Sequence, residues 1–362
     1  MKTTRPRAAL AVTAVLSSAL IVGLPTAASA SQRHATTVYT LSNAASGNTV
    51  LAFHSAAGAL TAAGSYATGG QGTGAGLGDQ GALTVADGGH VLLAVNAGSD
   101  SLTALRVAEE GSLMPESTVA SGGRQPVSVT VHGDLVYVLN AGDNTISGFR
   151  LRHGHLAPLP GSTRALSASA AGAAQIGFAP DGRYLLVTEK GSNSLDTFTV
   201  DQWGLASQAH STASQAAVPF GFDFDRRGDA LVSDAAASAV TAYSLRGGTA
   251  RQLAYVPDGG AAACWLVVSR QTGTAYVANA ATGTISTYDT RHGGLNLVKG
   301  VAATVGGHPT DEALGRGDVL YLRDATNNRL QRVAFSAAGG PEIADSAATL
   351  PAGAAGIAVI EG

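Results

Sequence analysis

His308 and Asp311 stand three residues apart in the stretch His308-Pro309-Thr310-Asp311-Glu312. An imidazole beside carboxylates has the composition of a general base, and a guanidinium such as Arg124 suits a carboxylate or a developing oxyanion. Glu189-Lys190 sets a second carboxylate beside a cation. The catalytic candidates are therefore His308, Arg124 and Glu189. Strand alternation sends Asp311 and Glu312 to opposite faces, so the two do not easily serve one site. Gln125, Gln175, Phe220, Trp265, Asp311 and Asp79 add polar and aromatic groups suited to contacting a ligand, and Gln80 accompanies Asp79. Cys264 is the single cysteine. With no His near it in sequence, it reads as a small hydrophobe. The chain has no Gly-x-Ser-x-Gly elbow, no His-x-x-x-His, no phosphate-binding glycine loop and no paired cysteines for zinc. His153-Gly154-His155 falls on a turn away from the other candidates. No metal and no cofactor is expected.

These residues lie far apart in the chain, and a repeat must bring them together. Residues 274–290, TAYVANAATGTISTYDT, read as two short strands joined by a tight turn through Asn279 and Gly283. An apolar residue stands three before Asn279 (Tyr276) and a β-branched one six after it (Ile285). The same frame, with Leu allowed at the second position, fits Asn96, Asn140, Glu189, Asp234 and Asp324, and Asn43 with one extra residue in the turn. Successive anchors are 53, 44, 49, 45, 45 and 45 residues apart. Seven strand-rich repeats of about 40 to 50 residues predict an all-β fold, a seven-bladed β-propeller with one four-stranded sheet per repeat. A side chain present in every repeat serves the repeat, so the anchors read as turn formers rather than as a ligand crown.

Most repeats carry an apolar strand ten to fifteen residues before the anchor, as at 127–131, 220–224 and 265–268. The first has none. The missing strand is expected at 354–361, pairing with the first blade and closing the ring. The turns after the second strands and the connections entering the innermost strands then share one face of the disc, and the candidate residues converge on its channel mouth.

Residues 1–30 combine Lys2, Arg5 and Arg7, an apolar run over 8–24 and Ala28-Ser29-Ala30, the pattern of a secretory signal peptide. The expectation is a secreted chain starting near Ser31, with 31–362 forming one propeller domain and no membrane association after cleavage. Without residues 1–30 the formal charge is 19 minus 25, or −6, with no basic run, which argues against nucleic acid. A lone Cys264 excludes an intrachain disulfide, so burial and ring closure must hold the fold. A monomer is expected.

Tyr137-Val138-Leu139-Asn140 and Tyr276-Val277-Ala278-Asn279 resemble the Tyr-Val-Thr-Asn class of propeller repeat, and Ala179-Pro180-Asp181-Gly182 resembles its Pro-Asp-Gly turn. Across nearly the whole mature length the sequence is similar to the lactonase family of seven-bladed propellers, which includes 6-phosphogluconolactonases and carboxymuconate cyclases. The resemblance implies His, Arg and Glu on the loop face; here Arg124, Glu189 and His308 are of those types, and the fourth-blade connection reads Ala173-Ala174-Gln175. Two functions follow. One is a binding or scaffold propeller presenting its loop face to a small polar or anionic ligand or an extracellular protein. The other is a lactone hydrolase or cycloisomerase acting on a small anionic lactone.

Overall fold

The structure is a computed structural model that describes residues 1–3, 36–335 and 340–361. The expected signal peptide and its cleavage site lie outside the described residues. By contacts the chain divides into Met1–Arg33 and His34–Gly362, and all that follows concerns the second unit.

Seven antiparallel sheets make up this unit, each a meander running from an innermost to an outermost strand. The innermost strands of the second to seventh blades are Leu83–Ala86, Pro126–His132, Ala173–Phe178, Pro219–Phe224, Ala263–Ser269 and Pro309–Gly315. In the first blade that place is taken by Ala355–Ile360, which pairs with Thr36–Leu41 from Thr37↔Ile360 to Leu41↔Ala355. The last strand thus closes the ring. The third blade also carries a short extra strand, Arg164–Ala165, against Thr145 and Ile146.

The second strands are the most buried elements. Every residue of Val91–Asn96, Leu135–Asn140 and Ala230–Asp234 is buried. Apolar, β-branched residues on both faces suit a strand packed between neighbouring blades. Each of these strands ends at an anchor. The anchor side chain reaches across the turn to a hydroxyl seven residues on: Asn96 Nδ2 donates to Thr103 Oγ1 (2.9 Å), Asn279 Nδ2 to Ser286 Oγ (2.7 Å), and Thr241 Oγ1 to Asp234 Oδ2 (2.5 Å). The anchor therefore satisfies a buried polar group within its own blade.

Around the channel, side chains on the innermost strands bond the backbone of the next blade. Thr84 Oγ1 donates to the Val129 carbonyl, and Ser128 Oγ and Thr130 Oγ1 accept from the Ile176 and Phe178 amides. Gln175 accepts from the Phe222 amide (2.7 Å) and donates to its carbonyl (2.9 Å). Asp223 Oδ2 accepts from the Val268 amide (2.9 Å). The inner wall is held as a circumferential polar network.

Candidate functional site

The connection entering the second blade crosses the channel instead of stopping at its rim. It starts over the first blade, where the Gly72 and Gly74 amides bond the Ala44 and Asn43 carbonyls. It then reaches the fourth blade, where Lys190 Nζ donates to the Gly78 carbonyl (2.5 Å). Next comes the sixth blade, where Trp265 Nε1 donates to the Asp79 carbonyl (2.9 Å). Gln80 fills the axis. Its amide nitrogen donates to the Leu266 carbonyl (2.8 Å), its amide oxygen accepts from Leu266 N–H (3.1 Å), its own N–H bonds the Ala174 carbonyl, and its carbonyl accepts from Ser128 Oγ (2.7 Å). One glutamine joins the third, fourth and sixth blades, copying a strand's hydrogen bonding on the sixth. Gly221 of the fifth completes the seat, since a Cβ there would collide with Gln80 Oε1 and the Cys264 carbonyl. A strap over 76–81 therefore roofs the channel. Below it lies a cavity of about 160 Å³ bordered by Thr84, Thr130, Gln175, Asp223 and Arg270 among others.

Four of the six expected ligand contacts gather at this strap: Asp79 on it, with Phe220, Trp265 and Asp311 beside it. The Phe220 and Trp265 rings pack edge to face with centroids 4.9 Å apart, and Lys190 Nζ lies 4.8 Å from the Phe220 centroid, a cation–π distance. Asp79 is 2 % exposed, and its Oδ2 has no hydrogen-bond partner among the described residues. Burial and the charge of Asp311 push its carboxyl well above the usual range, against the pull of Lys190. Burial also raises Asp311 to about 6, opposed by the Gly356 amide, which donates to its Oδ2 (2.9 Å), and by Arg323. Lys190 is lowered by burial and raised by Asp79. The result is a carboxyl pair with divergent proton affinities beside a desolvated ammonium.

Cys264, 8 % exposed, adjoins Lys190 and has its thiol pushed up to about 11 by burial. It is a neutral wall group at physiological pH. Asp311 lies at a bulge in its strand with left-handed backbone (φ 45°), and this, rather than regular alternation, turns its carboxyl to the Gly356 amide and away from Glu312. Both oxygens of Glu312 lack a hydrogen-bond partner among the described residues, and burial drives its carboxyl well above the normal range.

The expected trio of Arg124, Glu189 and His308 does not form. Among the described residues no hydrogen bond or ion pair joins any of them to another. Arg124 is exposed and donates to the Gly142 carbonyl (3.2 Å). His308 is exposed behind Gly306 and Gly307, both at positive φ, and its backbone amide bonds Asp324. Glu189 is fully buried in the anchor register and accepts from Ser192 and Ser194 inside its own turn. The physical reason is the register: the anchor side chain turns back toward the third strand, while its successor, Lys190, reaches the channel. Gln125 also leaves the site, since its left-handed backbone (φ 52°) hands its amide to Asp100. Gln175 is consumed by its bonds to Phe222. Lys190 was not expected at the channel from sequence, although its position next to an anchor was the available signal. Among the described residues there is no cluster of three His, Cys, Asp or Glu side chains able to hold a metal.

The sequence matches the family described as "Lactonase, 7-bladed beta-propeller" over residues 28–167 and 156–239, more than half of the chain, and the protein belongs to that family. No curated protein matches it. Among solved structures, a candidate 6-phosphogluconolactonase from Bacteroides uniformis is 19 % identical with a TM-score of 0.72, covering 91 % of this chain and all of its own. The periplasmic gluconolactonase PpgL of Pseudomonas aeruginosa is 18 % identical with a TM-score of 0.69, covering 90 % of this chain and 98 % of its own. A streptogramin B lyase is 11 % identical with a TM-score of 0.59, covering 78 % and 87 %. At these identities the likeness is one of fold.

Proposed function

We propose that this propeller hydrolyses a small anionic lactone beneath the strap. Family membership carries the reading, and the coupled carboxyls beside Lys190 supply the chemistry. Asp311, raised only to about 6, is ionised at neutral pH and takes the proton of the attacking water. Asp79, held well above the carboxylate range, keeps its proton and delivers it to the ring oxygen as the acyl–oxygen bond breaks. Lys190 balances charge on the carbonyl oxygen of the tetrahedral intermediate, and on an anionic substrate group. Water adds across the ester, one proton moves from water to Asp311, one from Asp79 to the leaving alkoxide, and the product is a hydroxy acid. A substrate reaches these groups only when the strap lifts, a gating step of the loop type.

The test is proton release from a panel of aldonolactones, phosphorylated and not, by the purified protein. Turnover lost in Lys190→Met supports the reading, and absence of turnover on every lactone counts against it. A second reading, a binding propeller for a small polar ligand or an extracellular protein, is favoured by one observation: Gln80 satisfies its partners so fully that the mouth is roofed. Ligand-induced stabilisation without turnover would select it. We further propose, from residues 1–30, that the protein is exported, matures near Ser31 and acts as a monomer. N-terminal sequencing of the exported protein checks the first point, and sedimentation the second.

A further inference from the structure

The fourth blade departs from a pattern shared by Asn96, Asn140, Asn279 and Asp234. Where Asn96, Asn279 and Asp234 meet a hydroxyl seven residues on, Glu189 meets a second carboxyl, Asp196, and both side chains are fully buried. Donors can be counted oxygen by oxygen. Glu189 Oε2 accepts from Ser192 Oγ (2.5 Å) and Ser194 Oγ (3.1 Å), and Asp196 Oδ2 accepts from the Ser167 amide (2.7 Å). Glu189 Oε1 and Asp196 Oδ1 are buried and receive no donor among the described residues, and Asp196 stands near enough to raise the Glu189 carboxyl. Two bare carboxylates cannot share such a site. The missing donor is a proton.

We infer that Glu189 and Asp196 share one proton, and that this shared proton is a latch holding the 190–193 turn so that Lys190 grips the strap. The turn reaches two neighbours. Lys190 Nζ holds the Gly78 carbonyl, and Asn193 Oδ1 holds the Val218 amide at the entrance to the fifth blade (2.7 Å). Loss of the proton leaves two buried negative charges within the hairpin, and the turn relaxes by moving outward, taking Lys190 with it. Burial raises Glu189 to about 7, with Asp196 adding to the shift, so the latch opens as pH rises through that value.

Among the described residues, Asp196 is the only charged group that shifts Glu189. The connection over 166–172, the inner strand Ala173–Phe178 and the connection over 214–218 contain no ionisable residue. The outer strand His210–Ala213 contributes only His210, across from Thr197. Lys190 itself faces Asp79. Glu189 and Asp196 are thus positioning residues that set access to the proposed lactone site. The inference bears on that site, but its test needs no turnover.

Cys264, the single cysteine, adjoins Lys190 under the strap and serves as the reporter. The experiment measures alkylation of Cys264 in the native protein from pH 6 to 8, divided at each pH by the rate in denaturant; over this range both native and denatured thiols lie below their pKa values and ionise in step, so intrinsic ionisation does not add a slope to the ratio. For the wild type the ratio should rise above pH 7, by up to about tenfold per pH unit. Glu189→Gln, whose amide is a permanent donor to Asp196, should remove that rise, and Asp196→Asn should do the same. Lys190→Met should give a high ratio already at pH 6. A wild-type ratio flat across pH 7, a slope kept in both amide variants, or an unchanged ratio in Lys190→Met would overturn the latch.

Discussion

Burial sorts the carboxyl groups of this propeller into those that a donor keeps charged and those that hold a proton near neutrality. Asp324, with the Thr326, Asn327 and His308 amides around it, is lowered. Asp234, with one Thr241 hydroxyl, is raised by burial to about 7. A carboxyl raised on folding binds its proton more tightly in the native state, so its contribution is whole below the unfolded value of about 3.8. It declines as pH climbs to about 7, and above that it stays lost. Asp234→Asn should therefore raise stability at pH 8 by about 1 kcal/mol and leave it nearly unchanged at pH 4, because an amide at this position already serves at Asn96, Asn140 and Asn279. Urea titrations at the two pH values check this. At the same scale, Arg124→Ala and His308→Ala should change stability by no more than about 0.5 kcal/mol, as exposed substitutions do.

At the scale of elements, the strap over 76–81 is the least conventional part of the fold. Gly221→Ala should drive Gln80 from its seat, since the added Cβ meets the Gln80 Oε1 atom and the Cys264 backbone carbonyl, which cannot move aside. The expected cost is about 1–3 kcal/mol by chemical denaturation, together with a faster alkylation of Cys264. This element was poorly legible in the sequence. Asp79 and Gln80 were expected at the mouth but no crossing segment was, because the bonds that define it, such as Gln80 to Leu266, join positions 186 residues apart. Asp79, Phe220, Trp265 and Asp311 were identifiable as one group, because each sits at the start of an innermost strand or just before it. Their partner Lys190 and the removal of Glu189 depended on which way a side chain turns at a strand end, and composition does not encode that.

For the whole molecule, the period of the anchors carried the architecture. Seven frames gave seven blades, and the strand absent before Tyr39 was supplied by Ala355–Ile360. Such legibility follows from repetition: each blade solves the same packing problem, so the same residue types recur. The extra strand Arg164–Ala165 had no counterpart in other repeats and no signal. Truncation after residue 354 removes the innermost strand of the first blade, bares Thr36–Leu41 as an open edge, and takes away the amide that bonds Asp311. Thermal unfolding of that variant should begin well below that of the full chain, with loss of a single cooperative transition. If lactone chemistry resides under the strap and not at the exposed loop residues, kcat/KM on the best lactone should fall by about 10²–10⁴ in Asp311→Asn and stay near the wild-type value in the double variant Arg124→Ala/His308→Ala. A larger loss in the double variant than in Asp311→Asn would rule the strap site out.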